Sequence, residues 1–362
     1  MPYETAVGER IESPAADQVD AIVADPAWLP YQLLDECRTL KFVHLPREKL
    51  KALPFHDKRA LPDRWASVTG DEPRVKVPLS AVVERARTAD SGPCHYIFHS
   101  AFCCSTLMSR ALDIEGVACV LREPRSLREL GDMNSGSNAP DDQKIALDVI
   151  LDLMKRPRLP GEKTIIKPAN IVNPLIDYIM ERQPHSRALL MYAPLSEFVL
   201  AIARRRRWMF GRSLAAQYRH HLEFETPQTQ DLVYLTDLQM AAFLWLQHQA
   251  QFARLVRELA PGRVATLRSD TFVARPVEAL VAAAELFELP LGIEEAEAIT
   301  AGPLFHDHSK RPGESFDESS QKRTDAMVRL AFGPEIDQAV EWGEAVAAEA
   351  SIPLELHAPL IS

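Results

Sequence analysis

The run HYIFHSAFCCSTLMSRALD, His95 to Asp113, combines an apolar stretch, a turn of small residues and a helical pattern. A strand–loop–helix of this kind is where proteins hold phosphate, because backbone N–H groups and the positive end of a helix dipole meet there. Ser105 and Thr106 open the helix and add two hydroxyls, so the loop has the means to bind an anion without a lysine. His99 lies in the same loop, either as a donor to an anion or as a base. Cys103 and Cys104 stand where the dipole favours thiolate.

Other chemistries fit this loop less well. Against a Walker-type ATP loop, His99 and Cys104 replace the two glycines and Ser105 replaces the lysine, leaving only Thr106 in place. A phosphatase-like cysteine would need an arginine closing the anion nest. Arg110 follows Cys104 at the Cys-x5-Arg spacing, but the intervening residues read as helix rather than as a broad loop. The pairs His220-His221 and His306-x-His308 do not bring several ligands to one point, so no metal site is expected.

These residues must be placed by a larger framework. The chain has 362 residues with 46% hydrophobic composition, enough for a sizeable core. Its 51 Asp and Glu outnumber 41 Lys and Arg, which argues against a general binder of nucleic acid or membrane surface. The five cysteines form no CxxC pair, and no apolar run reaches membrane-spanning length, so a reducing, cytoplasmic setting is expected. Residues 1–90 are rich in proline and charge and read as an N-terminal extension or cap of irregular structure with short helices. From residue 91 onward, the apolar runs CHYIFHS, VACVLRE, TIIKPAN, RALLMYA and VATLRS alternate with amphipathic segments. That pattern predicts an α/β fold, a central mainly parallel sheet flanked by helices in three layers, over 91–362. Leu235 to Leu259 is predicted as a long packed helix, and NSGSNAPDD and HSKRPGESFDESSQK as loops.

Ala101-Phe102-Cys103-Cys104-Ser105-Thr106-Leu107 resembles the 5′-phosphosulfate loop of P-loop sulfotransferases, Pro-(Lys/Arg)-Ser-Gly-(Ser/Thr)-Thr-(Leu/Trp), agreeing at its last three positions. Further motifs follow in the family's order. VLREPRSL is similar to the Gly-Glu-(Glu/Thr)-x-Arg stretch of protein-tyrosine sulfotransferases, which implies Glu123 as the base and Arg122, Arg125 or Arg128 near the anionic donor. TIIKPAN resembles the third strand and its Lys-(Asp/Ser)-Pro ending, which implies Lys167 as charge stabiliser, with Asn170 as a hydrogen-bond donor. The fourth strand keeps Pro194 but has Tyr192 and Leu200 where the family has its 3′-phosphate arginine and serine. Arg204, Arg205, Arg206 and Arg207 follow on the helix as substitute phosphate contacts, of which no more than two can face one ligand. VATLRSDTFVARPVEALVAAAELFELPL is similar to the family's late strand and helix, and Lys310 and Arg311 fall where its basic donor-covering loop lies.

The resemblance implies sulfuryl transfer from 3′-phosphoadenosine 5′-phosphosulfate (PAPS) to a hydroxyl or amine acceptor, with Cys103, Cys104, Ser105 and Thr106 cradling the donor. Two other readings remain open. One is a kinase-like phosphotransferase using ATP with magnesium at Thr106, and the other is a catalytically silent member that binds a nucleotide or a partner.

Overall fold

A computed structural model of the chain describes residues 14–61, 72–89, 92, 94–133, 141–205, 222–306 and 318–361. The N-terminal part differs from the irregular structure that its composition suggests. Strands β1 (Trp28–Leu34), β2 (Thr39–His44) and β3 (Arg74–Pro78) pair antiparallel in the order β1-β2-β3. Pro30 can lie in β1 because this is an edge strand whose register shifts between Pro30 and Gln32. Its inward side chains, with Leu40 and Phe42 of β2, are buried and join the same hydrophobic core as the rest of the described chain.

Strands β4 (Cys94–His99), β5 (Ala118–Arg122), β6 (Lys163–Lys167), β7 (Ala188–Tyr192) and β8 (Val264–Arg268) form one sheet in the order β5-β6-β4-β7-β8, every pair parallel. All six residues of β4 are buried, because β6 and β7 flank it and helices cover both faces. This is the parallel α/β sheet expected from the alternating runs. The register sets Arg122 opposite Lys167 and His99 opposite Met191, so the carboxyl ends of β4, β5 and β6 come out together.

The long helix Asp237–Glu258 falls within the span predicted for it. The Thr236 side chain accepts from the Gln239 N–H, and the Gln239 side chain returns to the Thr236 N–H, a reciprocal cap that fixes its start. Trp245 on this helix is fully buried and donates through Nε1 to the Ala193 carbonyl at 2.8 Å, which ties the helix to the end of β7. The run HSKRPGESFDESSQK predicted as a loop is helical in its described part, since a helix begins at Glu318 and runs to Glu349 across a kink at Phe332 beside Pro334. NSGSNAPDD lies mostly outside the described residues.

Candidate functional site

The loop after β4 holds three left-handed residues, none of them glycine. Ala101, Phe102 and Cys104 all have positive φ, at 79°, 54° and 59°. Left-handed residues are the conformational class from which anion-binding nests of backbone N–H groups are built. With a Cβ on each, that conformation costs about 1–2 kcal/mol per residue, and such strain gathers at functional loops. The loop is held from both sides. Ser100 N–H donates to the Met191 carbonyl at 3.0 Å, and Ala101 N–H donates to His99 Nδ1 at 3.0 Å. Cys104 is the N-cap of the short helix Ser105–Ala111, and its side chain makes no capping hydrogen bond. Ser105 and Thr106 are buried, and no hydrogen bond from either hydroxyl occurs among the described residues.

Glu123 stands one residue past the end of β5 with φ 52°, so the chain turns sharply there. Its N–H donates to the Lys167 carbonyl at 2.7 Å, and the Lys167 ammonium donates back to Glu123 Oε1. The other carboxylate oxygen accepts from Arg59 Nη2 at 2.5 Å. Glu123 is 7% exposed and Lys167 1%. Burial alone pushes the Glu123 carboxyl up, but the Lys167 ammonium, the Arg59 guanidinium and His99 outweigh it and hold the carboxyl well below the usual carboxylate range. Glu123 and Lys167 are therefore brought together as the motifs implied, and Arg59 joins them from the N-terminal segment.

His99 does not stand ready as a base. Its Nε2 donates to the Pro168 carbonyl at 3.1 Å while Nδ1 accepts from Ala101, so both ring nitrogens are engaged by backbone. The geometry makes it the post that joins the loop to the turn after Lys167.

Arg122 is a correction to the expected donor contact. Its side chain is 1% exposed and pairs with Asp113 at 2.5 Å. Its remaining N–H groups donate to the carbonyls of Leu50, Lys51 and Leu53, at the C-terminal end of the helix Arg47–Ala52. Adjacent residues at a strand end leave in different directions, so with Glu123 at the sheet edge Arg122 is sent into the interior. His56 completes this anchor, accepting from Arg122 N–H through Nδ1 at 2.9 Å and donating from Nε2 to Leu50 at 3.0 Å. Burial and the neighbouring Arg122 keep that imidazole neutral by lowering its pKa far below the usual histidine value.

The four-arginine run divides. The Arg205 guanidinium lies 5.2 Å from the centroid of the Phe102 ring, and Phe102 also packs edge-on against Phe198 at 5.6 Å. The Phe102 ring thus carries a cation on its face. Arg204 is directed elsewhere, paired with Asp325 at 2.6 Å. Tyr192 makes no substitute phosphate site, because it is buried and its hydroxyl accepts from Leu356 N–H at 3.1 Å. Leu200 is buried in the core. Arg206, Arg207, Lys310 and Arg311 lie outside the described residues, as do His220, His221 and His308.

The Cys103 thiol is buried and engaged by backbone. Cys103 Sγ donates to the Met191 carbonyl at 3.4 Å. Ser105 to Ala111 is helical, so Arg110 sits in the last turn of that helix and cannot close over Cys104, which removes the phosphatase-like reading. Among the described residues no group of three or more histidine, cysteine or acidic side chains is placed to hold a metal.

Arg59 was not legible in the sequence. Nothing in PFHDKRALP points to a carboxylate 64 residues further on, and the only hint is a cluster of polar types in a proline-bounded run.

No protein-family model matches the chain, and no curated protein matches it. Among solved structures it is similar to a sulfotransferase from Alicyclobacillus acidocaldarius, at 13% identity and TM-score 0.39, covering 72% of this chain and 97% of that one. It is similar to the sulfotransferase domain from the curacin biosynthetic pathway at 13% identity and TM-score 0.39, over 74% of this chain and 100% of that one. It is also similar to a sulfotransferase of Mycobacterium avium at 12% identity and TM-score 0.41, over 92% of this chain and 98% of that one. Among the described residues no helix is long and apolar enough to cross a membrane.

Proposed function

We propose that this chain is a sulfotransferase-like transferase that moves a sulfuryl group from PAPS to a hydroxyl or amine acceptor. The observation that carries the reading is the meeting of a left-handed phosphate loop with a Glu123–Lys167 pair at the carboxyl ends of adjacent parallel strands. The 5′ side of the donor fits what is present, a turn of three left-handed residues followed by the buried hydroxyls of Ser105 and Thr106. Arg205, lying over Phe102, is a cation placed to meet a phosphate there. The 3′ side has lost the arginine and serine of the resemblance to Tyr192 and Leu200, so its contacts must come from other groups.

The donor, when bound, supplies an activated sulfur and a phosphate leaving group. Glu123 takes the proton from the acceptor as the acceptor oxygen or nitrogen forms its bond to sulfur. The bond from sulfur to the bridging oxygen breaks, and its electron pair stays on the departing 5′-phosphate. Lys167 neutralises the charge that gathers on the oxygens. In the resting geometry Lys167 and Arg59 hold the Glu123 carboxylate, and a carboxylate so stabilised is a poor base. The proton transfer therefore requires Lys167 to turn from Glu123 toward the transferring group, which frees the base as the charge to be neutralised arrives.

The test is incubation with PAPS and a panel of phenol, alcohol and amine acceptors, following release of 3′-phosphoadenosine 5′-phosphate (PAP). Acceptor-dependent release that Glu123→Gln abolishes is the expected result. Donor binding with no release toward any acceptor would favour the catalytically silent reading.

A further inference from the structure

We propose that Arg59, supplied by the N-terminal segment, is a residue of the transfer centre and receives a sulfuryl-sized oxyanion through its Nη1 edge, beside Lys167. The inference rests on the transferase reading and adds to it a group outside the parallel sheet.

Arg59 is fixed in place. Its Nε donates to Asp57 Oδ1 and Oδ2 at 2.9 and 2.8 Å, its Nη2 lies 2.6 Å from Asp57 Oδ2 and 2.5 Å from Glu123 Oε2, and its guanidinium lies 3.8 Å from the centroid of the Phe55 ring. The turn that carries it is tied to the sheet edge, with His56 N–H donating to the Arg122 carbonyl at 2.7 Å and Arg125 N–H donating to the His56 carbonyl at 3.1 Å. Tyr31 closes the far end by donating to the Leu61 carbonyl at 2.5 Å. An arginine held on one edge by two carboxylates is preorganised, and its other edge can take an anion at little further entropic cost.

That other edge is open. Nη1 has no hydrogen-bond partner among the described residues, and the side chain is 42% exposed although Asp57 beneath it is only 2% exposed. Cations surround it. Lys167 and Arg59 both bind Glu123, and Arg128 lies 3.8 Å from Asp57. An anion at Nη1 would stand beside the charges of Arg59 and Lys167. The turn after Lys167 supplies a further donor. Asn170, on the turn after Lys167, is 8% exposed and its Nδ2 is buried with no hydrogen-bond partner among the described residues.

The experiment is calorimetric titration of inorganic sulfate, at constant ionic strength held with chloride, into the wild-type chain, Arg59→Gln and Arg59→Lys, with PAP titrated separately into each. The expected result is sulfate binding that weakens at least tenfold in Arg59→Gln and is partly restored in Arg59→Lys, with PAP affinity unchanged within about twofold. Absence of sulfate binding by the wild type, or equal binding by wild type and Arg59→Gln, overturns the inference. The underlying reading is separable from it. Arg59-dependent sulfate binding without any PAP binding leaves the oxyanion site and removes the transferase, whereas PAP binding with sulfate indifferent to Arg59 leaves the transferase and removes Arg59 from its centre. Thermal unfolding of each variant accompanies the titrations, and Arg59→Lys, which keeps the charge, decides the matter if Arg59→Gln does not fold.

Discussion

Lys167 and Glu123 bind each other twice across the ends of two adjacent parallel strands, the ammonium to the carboxylate and the Glu123 N–H to the Lys167 carbonyl at 2.7 Å. The backbone bond fixes the distance between the two residues, and the ion pair holds both charges in a buried setting. Because both side chains are buried, removing one leaves the other without a counter-ion. Glu123→Gln is expected to lower stability at neutral pH by about 3 kcal/mol, the scale for breaking a buried pair. Urea unfolding of both proteins at pH 7 checks this.

The same pair sets a pH dependence. The Glu123 pKa is depressed in the folded chain, so its contribution to stability is fully present above the unfolded carboxylate value of about 4.3. It is lost as pH falls below that value toward the folded pKa. The gap between wild type and Glu123→Gln is expected to narrow when the unfolding series is extended from pH 5 to pH 2.5. A gap that widened in acid would mean that the carboxyl is not held ionised.

The glycine-free loop carries strain that substitution can relieve. Ala101 has φ 79° and only a methyl group to lose. Ala101→Gly is expected to raise stability by about 1 kcal/mol, and Ala101→Val to lower it by more than that, measured by denaturant midpoint at constant slope. A loop without real strain would show no gain with glycine.

Phe102 and Arg205 act together in the account. Arg205→Ala and Phe102→Ala are each expected to weaken PAP binding roughly tenfold, and the double variant to weaken it little more, because the ring holds the cation. Calorimetry of the four proteins gives the coupling directly. Full additivity would show that the stacking has no part in binding.

Much of this arrangement was readable in the residues. The parallel sheet showed in five apolar runs of strand length, and the carboxyl-end placement of Glu123 and Lys167 follows from where those runs stop. The N-terminal sheet did not show, because Pro30 sits at an edge-strand irregularity that sequence reads as a break. Arg122 was misplaced because two neighbouring residues at a strand end carry no mark of which one turns inward. His99 has the type of a base and the position of one, but Nδ1 is taken by the N–H of Ala101 in its own loop and Nε2 by Pro168 in the turn after Lys167, the second a tertiary contact with no local signal. Arg59 reaches Glu123 only because the N-terminal segment packs on the sheet edge, and long-range packing of that kind leaves no spacing to read.

Calorimetric titration with PAP, alongside ATP with magnesium, separates a PAPS donor site from a kinase-like one. Micromolar PAP binding, on the order of −8 kcal/mol, is expected, with no comparable binding of magnesium ATP. Absence of PAP binding, or a clear preference for magnesium ATP, would contradict it.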